Sequence, residues 1–385
     1  MSLLATWLLK AAMIVGMDTR ADAGARAALR AGTGAPVTSP AGRPLKILIV
    51  TDAWAPQVNG VVRTLEMLGR QLAGMGHQLR YATAENHATL PLPTYPEIRL
   101  ALFPRQAILD AIDNFAPDAI HIATEGTMGL SARTICLERG LRFTTSFHTR
   151  FPDYVHARFP FIPEGAVYSA LRSFHAAATA TMVSTLSLKR ELEAHGFTNV
   201  VLWTRGVDVE QFRPRAKDQF HHFHNSGPGS PRPVFLYVGR LAIEKNVEAF
   251  LALDLPGTKL VVGEGPQRGE LEARFPATRF LGQRTGEELA GIYASSDVFV
   301  FPSRTDTFGL VLLEALACGT PVAAYPVQGP LDVLCDSPIA ALDEDLRAAC
   351  LQALRIRRDA CRAFALTRSW STSAEQFLAN LVAAA

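Results

Sequence analysis

Five cysteines in 385 residues, at 136, 318, 335, 350 and 361, include no Cys-x-x-Cys pair, so neither a disulfide framework nor a structural zinc site is expected. That makes a reducing cytoplasm the expected compartment. Charge of one sign is also lacking: 38 Lys+Arg stand against 36 Asp+Glu, and a net +2 excludes strong attraction of the whole chain to nucleic acid. The small basic surplus falls in the first 215 residues, a mild hint of an anionic surface near that half. No apolar run reaches the roughly 20 residues of a membrane span. Met1–Val15, the nearest approach, is short and broken by Lys10, and it lacks the leading positive charge of a signal peptide. Residues 1–44 are therefore expected to be a disordered or mis-assigned extension, with Met17 a candidate start and an interfacial anchor the alternative. No Gly-x-Gly-x-x-Gly follows the first strand, so no dinucleotide cofactor is indicated.

What is present is alternation. Lys46-Ile-Leu-Ile-Val-Thr51 reads as a buried strand, and Val61, Leu65, Leu68, Leu72 and Met75 recur at helical spacing up to Gly76. A strand restarts at Gln78–Ala82. Further strands are expected at Ala119–Ala123, Phe143–Phe147, Ala180–Val183 and Val200–Thr204, then at Val234–Val238, Lys259–Val262, Thr278–Leu281, Val298–Phe301 and Val322–Tyr325. Strands alternating with helices imply parallel α/β sheets with ligand loops at their carboxyl ends. A stretch rich in Pro, Gly and His, 216–232, reads as a linker between domains at 45–215 and 233–367, with 368–385 as a final helix.

Several loops carry chemistry. Gly239-Arg240-Leu-Ala-Ile-Glu-Lys245 sets two cations at an expected helix start, where a diphosphate would find charge and donors together. Gly263-Glu-Gly265-Pro is a turn. Asp306-Thr-Phe308-Gly309-Leu310 passes from strand to helix, and Glu314 follows inside that helix. Asp343-Glu-Asp345 matches a metal-binding Asp-x-Asp but heads a helical pattern and reads as a cap. His221-His-Phe-His224 sits in the linker without partner cysteines, and no metal site is assigned.

The run from Ser303 to Val322 resembles the Glu-x7-Glu signature of retaining glycosyltransferases of GT-B architecture, the glycosyl transferases group 1, with Asp306 in place of the first Glu. The resemblance covers Lys46 to Leu381 and implies two doubly wound Rossmann-like domains facing across a cleft. It implies transfer of a hexose from a UDP- or GDP-sugar to a hydroxyl, with retention and with no metal or other cofactor. Arg240 and Lys245 would hold the donor diphosphate, Glu314 the ribose hydroxyls, and Asp306 a sugar hydroxyl, its reach shortened by one C–C bond. The backbone at Phe308, Gly309 and Leu310 would face sugar and phosphate, while Gly239, Gly263 and Gly265 would border the nucleotide. Gly60 would let the backbone approach the donor, with Asn59 beside the acceptor. His148, after an expected strand, would stand by the reacting sugar carbon; read without the resemblance it is equally a loop histidine.

The acceptor hint lies in Arg150–Pro163, where Phe151, Tyr154, Phe159 and Phe161 alternate with Arg150, His156 and Arg158. Aromatic and basic side chains together suit a membrane interface, and a loop packed under its own domain remains the alternative. The stretch resembles diacylglycerol glycosyltransferases and GDP-mannose-dependent mannosyltransferases. They imply a lipid acceptor met by Arg150, Tyr154 and Arg158, and a peripheral protein at the inner face of the membrane. A polysaccharide or soluble-glycoside transferase, and a non-catalytic nucleotide-sugar-binding protein, stay open.

Overall fold

Ile47 to Val50 are fully buried, the pattern of a strand covered on both faces. In the computed structural model, which describes residues 43–385 apart from 56, 58, 86, 93–94, 149–151, 153–160, 217–231, 307 and 335–336, this run is β1, Lys46–Thr51. It pairs in parallel with β2 (Gln78–Thr83) and with β5 (Ala119–Ile122). β6 (Thr144–Ser146), β7 (Ala180–Val183) and β8 (Val200–Leu202) complete a parallel six-stranded sheet of order β2-β1-β5-β6-β7-β8. A separate antiparallel hairpin, β3 (Thr89–Leu92) with β4 (Tyr95–Ala101), was not expected from the sequence.

Helix Gly60–Gly74 buries Leu65, Leu68 and Leu72 against this sheet. It starts at Asn59, whose Oδ1 accepts from the N–H groups of Val61 and Val62, both at 3.0 Å. It ends at Met75, followed by Gly76 at φ +90°, a backbone conformation that glycine adopts without strain.

The chain divides by its contacts into two units, one of residues 1–204 with 373–385 and one of 205–372. In the first, Ala374, Phe377 and Leu381 from the end of helix Trp370–Asn380 and beyond join Leu65, Leu68 and Trp203 in one core. The Trp203 indole N–H donates to the Ser373 carbonyl at 3.1 Å, and the Thr204 N–H to Gln376 Oε1 at 2.9 Å. Residues 205–215, read from the sequence as the end of the first domain, go with the second unit because Val207 and Phe212 are buried in its core. Arg362 fixes the same segment through the Phe212 and Val209 carbonyls, at 2.8 and 3.1 Å.

The second unit carries β9 (Val234–Val238), β10 (Thr258–Val262), β11 (Arg279–Phe280), β12 (Val298–Phe301), β13 (Val322–Ala324) and β14 (Ala340–Leu342). Their order, β11-β10-β9-β12-β13-β14, is that of a dinucleotide-binding Rossmann sheet. Both units are thus Rossmann-like, as GT-B architecture requires. The expected linker at 216–232 lies almost wholly outside the described residues. No helix among the described residues is long and apolar enough to cross a membrane.

Candidate functional site

In the second unit the strand order reverses between β9 and β12, so the loops after these strands diverge and leave a crevice at their carboxyl ends. The chain stitches those two loops together. Asn246 Nδ2 donates to the Pro302 carbonyl at 3.1 Å, and the Ser303 and Thr305 hydroxyls both donate to the Glu244 carbonyl at 3.3 Å. Arg304 lies over the Tyr325 ring, 3.7 Å from its centroid, and pairs with Glu344 at 3.2 Å. These contacts hold the residues that lead into Asp306.

Asp306 Oδ1 accepts from the Lys245 ammonium in a largely buried ion pair, with the side chains 14% and 22% exposed. Its second oxygen, Oδ2, is buried and has no hydrogen-bond partner among the described residues. An orphaned buried acceptor costs about 1–3 kcal/mol, which a ligand hydroxyl placed there would recover. The expected helix start beside the cations is shorter than the sequence suggests. Ile243–Lys245 is a single 3-10 turn, and Asn246 at φ +52° breaks it from the helix Val247–Leu251. Arg240 therefore sits in the loop, its carbonyl accepting from the Tyr237 hydroxyl at 2.8 Å. The glycines after β9 and β10 are required by close approach: a Cβ on Gly263 would stand 1.8 Å from the Gly239 carbonyl oxygen, and one on Gly265 2.3 Å from that of Leu241.

Helix Leu310–Ala317 begins at Gly309 with φ +78° and no side-chain cap. Only glycine enters that turn cheaply, and an N-terminus without a capping side chain is suited to a phosphate. Phe308 anchors the turn by packing on the core. One helical turn on, Glu314 is 4% exposed, and its Oε2 accepts from the Tyr293 hydroxyl at 3.2 Å. The second unit thus gathers Gly239, Arg240, Lys245, Gly263, Gly265, Asp306, Phe308, Gly309, Leu310 and Glu314 on or beside the loops at one end of its sheet. Asp345 lies elsewhere in function: its carboxylate caps helix Leu346–Ala353 through the N–H groups of Arg347 (2.9 Å) and Ala348 (3.3 Å).

In the first unit, His148 follows β6, half-buried and edge-on to the Trp203 indole at 5.9 Å. Gly60 opens a helix, and Asn59, expected at an acceptor, caps it. Arg150, Tyr154 and Arg158 lie outside the described residues, as does His221–His224, while Phe161 is 72% exposed.

Sequence reasoning missed Asp52. At the carboxyl end of β1, where this sheet's order reverses, its carboxylate accepts from the Met128 N–H at 2.9 Å and the Thr124 hydroxyl at 3.0 Å. Burial raises its carboxyl above the usual range despite those bonds. The chain's own acid fills the N-terminus of helix Thr127–Arg139, the place an incoming phosphate would take. Gly126 makes room for it, since a Cβ there would stand 2.3 Å from the Asp52 carboxyl carbon. Tyr293 was missed too, because nothing in its local sequence distinguishes it from a core aromatic.

The profile of the glycosyl transferases group 1 matches residues 232–355, and that of glycosyltransferase family 4 matches residues 58–211. A sulfoquinovosyl transferase of Arabidopsis thaliana is 34% identical over 64% of this chain, and the match spans half of that protein's length. A GDP-mannose-dependent alpha-mannosyltransferase of Mycobacterium tuberculosis is 28% identical over 87% of this chain and 96% of its own. The alpha-monoglucosyldiacylglycerol synthase of Streptococcus pneumoniae is 27% identical over 86% of this chain and 83% of its own. Among solved structures, sucrose-phosphate synthase from Thermosynechococcus elongatus superposes with a TM-score of 0.69 at 20% identity, covering 87% of this chain and 97% of that one, a likeness of fold.

Proposed function

The chain belongs to the group 1 glycosyltransferases of GT-B fold, and from that premise we propose that it moves a hexose from a UDP- or GDP-sugar to a lipid hydroxyl with retention of configuration. The observation that carries this reading is the convergence, at the β9/β12 reversal, of the Lys245–Asp306 pair, the helix N-terminus at Gly309 and the buried Glu314.

The donor diphosphate lies against Arg240, Lys245 and the first N–H groups of helix Leu310–Ala317. These supply fixed positive charge as the leaving phosphate gains negative charge, so no metal ion is needed there. Glu314, oriented by Tyr293, accepts the two ribose hydroxyls. Asp306 Oδ2 accepts a hydroxyl of the donor sugar and thereby fixes its ring. With no protein nucleophile assigned, the acceptor hydroxyl attacks from the face the diphosphate leaves, and the leaving phosphate takes its proton. A lipid acceptor is supported by the diacylglycerol synthase relative and by the aromatic and basic composition of Arg150–Pro163.

Calorimetric titration of UDP, GDP and their hexose conjugates tests the donor assignment. One nucleotide series is expected to bind, and Arg240→Ala and Lys245→Ala each to weaken it by about ten- to a hundredfold, the loss of one charge-assisted bond of about 1.5–3 kcal/mol. Near-normal binding and turnover in both variants would remove the diphosphate assignment.

A further inference from the structure

Helix Gly60–Gly74 and the edge strand β2 border an open groove of about 390 Å³ that the donor chemistry does not use. That volume is in the range of small-ligand sites. Its floor is aromatic. Trp54 and Tyr81 pack with ring centroids 4.4 Å apart, tilted by 31°, and Leu79 extends the apolar surface. The Tyr81 hydroxyl is committed to the Leu65 carbonyl at 3.0 Å, which fixes the ring. Gly69 permits this closeness, because a Cβ there would stand 2.2 Å from the Tyr81 hydroxyl. Glycine weakens a helix interior, and at this position it lets the Tyr81 ring lie against the helix.

The rim is polar and mixed. Glu66 and Arg70 both line it, one helical turn apart, yet among the described residues neither has an ion-pair partner. Glu66 stands close enough to Tyr81 to add to the burial that pushes the phenol up to about 12. His77 accepts the Leu45 N–H on Nδ1 at 3.1 Å, so its neutral ring carries the proton on Nε2 and offers a donor. Burial holds this imidazole below its usual range, in keeping with the neutral form.

We propose that this groove is a second carbohydrate-binding site, taking one neutral hexose of a glycan. The apolar face of the sugar packs against the half-buried Trp54 indole, which the Tyr81 ring backs. Its hydroxyls meet a carboxylate acceptor at Glu66, a forked donor at Arg70 and the His77 Nε2–H. The single acid and single guanidinium balance, which favours a neutral polyol over an anion or a cation. The site stands independently of the donor reading, since none of its residues belongs to the second unit.

The test is NMR on the full chain with the donor site saturated by nucleoside diphosphate. The Trp54 indole signal, identified by its loss in Trp54→Phe, is followed during titration with methyl α-D-mannopyranoside, methyl α-D-glucopyranoside and maltotriose. At least one sugar is expected to shift it saturably with a Kd on the order of 1 mM, a weak affinity suited to a shallow site. The double variant Glu66→Ala/Arg70→Ala keeps the floor, so its unliganded Trp54 signal checks folding. It should bind at least tenfold more weakly, the loss of bonds to two charged groups, with nucleotide affinity unchanged. No shift with any sugar, an equal shift in the rim variant, or a stronger response to glucuronate or to a proline-rich peptide would each overturn the proposal.

Discussion

Replacing Asp306 by Asn should separate two functions that sound alike. In the unliganded chain the Lys245 ammonium is held by Asp306, so a diphosphate arriving at Lys245 competes with the chain's own carboxylate. Asparagine keeps the size but removes the charge. With side chains 22% and 14% exposed, the pair is largely buried, so desolvation offsets most of its attraction and a net of about 1 kcal/mol remains. Releasing Lys245 should therefore tighten UDP or GDP, which carry no sugar, by about fivefold. Transfer moves the other way, because a sugar hydroxyl bound to a carboxylate is worth about 1.5–3 kcal/mol and an amide oxygen recovers only part of that. A fall in kcat/KM of about ten- to thirtyfold follows. Calorimetry with the nucleoside diphosphate and steady-state kinetics with the full donor measure the two effects on one preparation. If the diphosphate binds Asp306→Asn no more tightly than wild type, the competition for Lys245 does not exist. If transfer is unimpaired, Asp306 does not hold the sugar.

Other changes have equally definite outcomes. Tyr293→Phe removes the hydroxyl that orients Glu314 and should weaken nucleotide binding about tenfold with kcat little changed, a split visible in initial rates. Asp345→Ala loses a helix cap and should cost about 1 kcal/mol in denaturant unfolding while transfer persists in the presence of a chelator; loss of transfer with rescue by manganese would restore the metal reading of Asp343 and Asp345. His77, lowered below its usual value near 6.5, protonates more readily when unfolded, so stability is lost as pH falls below that value. His77→Asn should flatten that part of the stability profile, and an unchanged slope between wild type and variant would contradict the assignment.

Strand positions were legible because parallel strands are buried on both faces and read as continuous apolar runs. β7 and β12 occur where Ala180–Val183 and Val298–Phe301 predicted them. The hairpin β3–β4 escaped notice because Pro91 and Pro96 interrupt its strands, and proline argues against a strand except at an edge. β14 is only three residues, Ala340–Leu342, too short for periodicity to register. The second unit's candidate residues could be singled out because they fall in three compact stretches, 239–246, 263–265 and 303–314. Partners distant in sequence were not. Asp52 meets Met128 across 76 positions, and Tyr293 meets Glu314 from a separate helix, so only the folded chain pairs them. That residues 205–215 cluster with the second unit was not legible, because proline and glycine mark a loop, whereas burial of Val207 and Phe212 decides which unit a segment joins.

The most direct test is stereochemical. Purified protein is incubated with the nucleotide sugar selected by calorimetry and with diacylglycerol in anionic vesicles, and the anomeric configuration of the glycolipid is read by NMR. The account predicts a glycolipid whose anomeric configuration matches that of the donor, formed by wild type and reduced at least tenfold in Glu314→Ala, consistent with loss of hydrogen bonds to a charged group. An inverted product, or a Glu314→Ala variant as active as wild type, would contradict it.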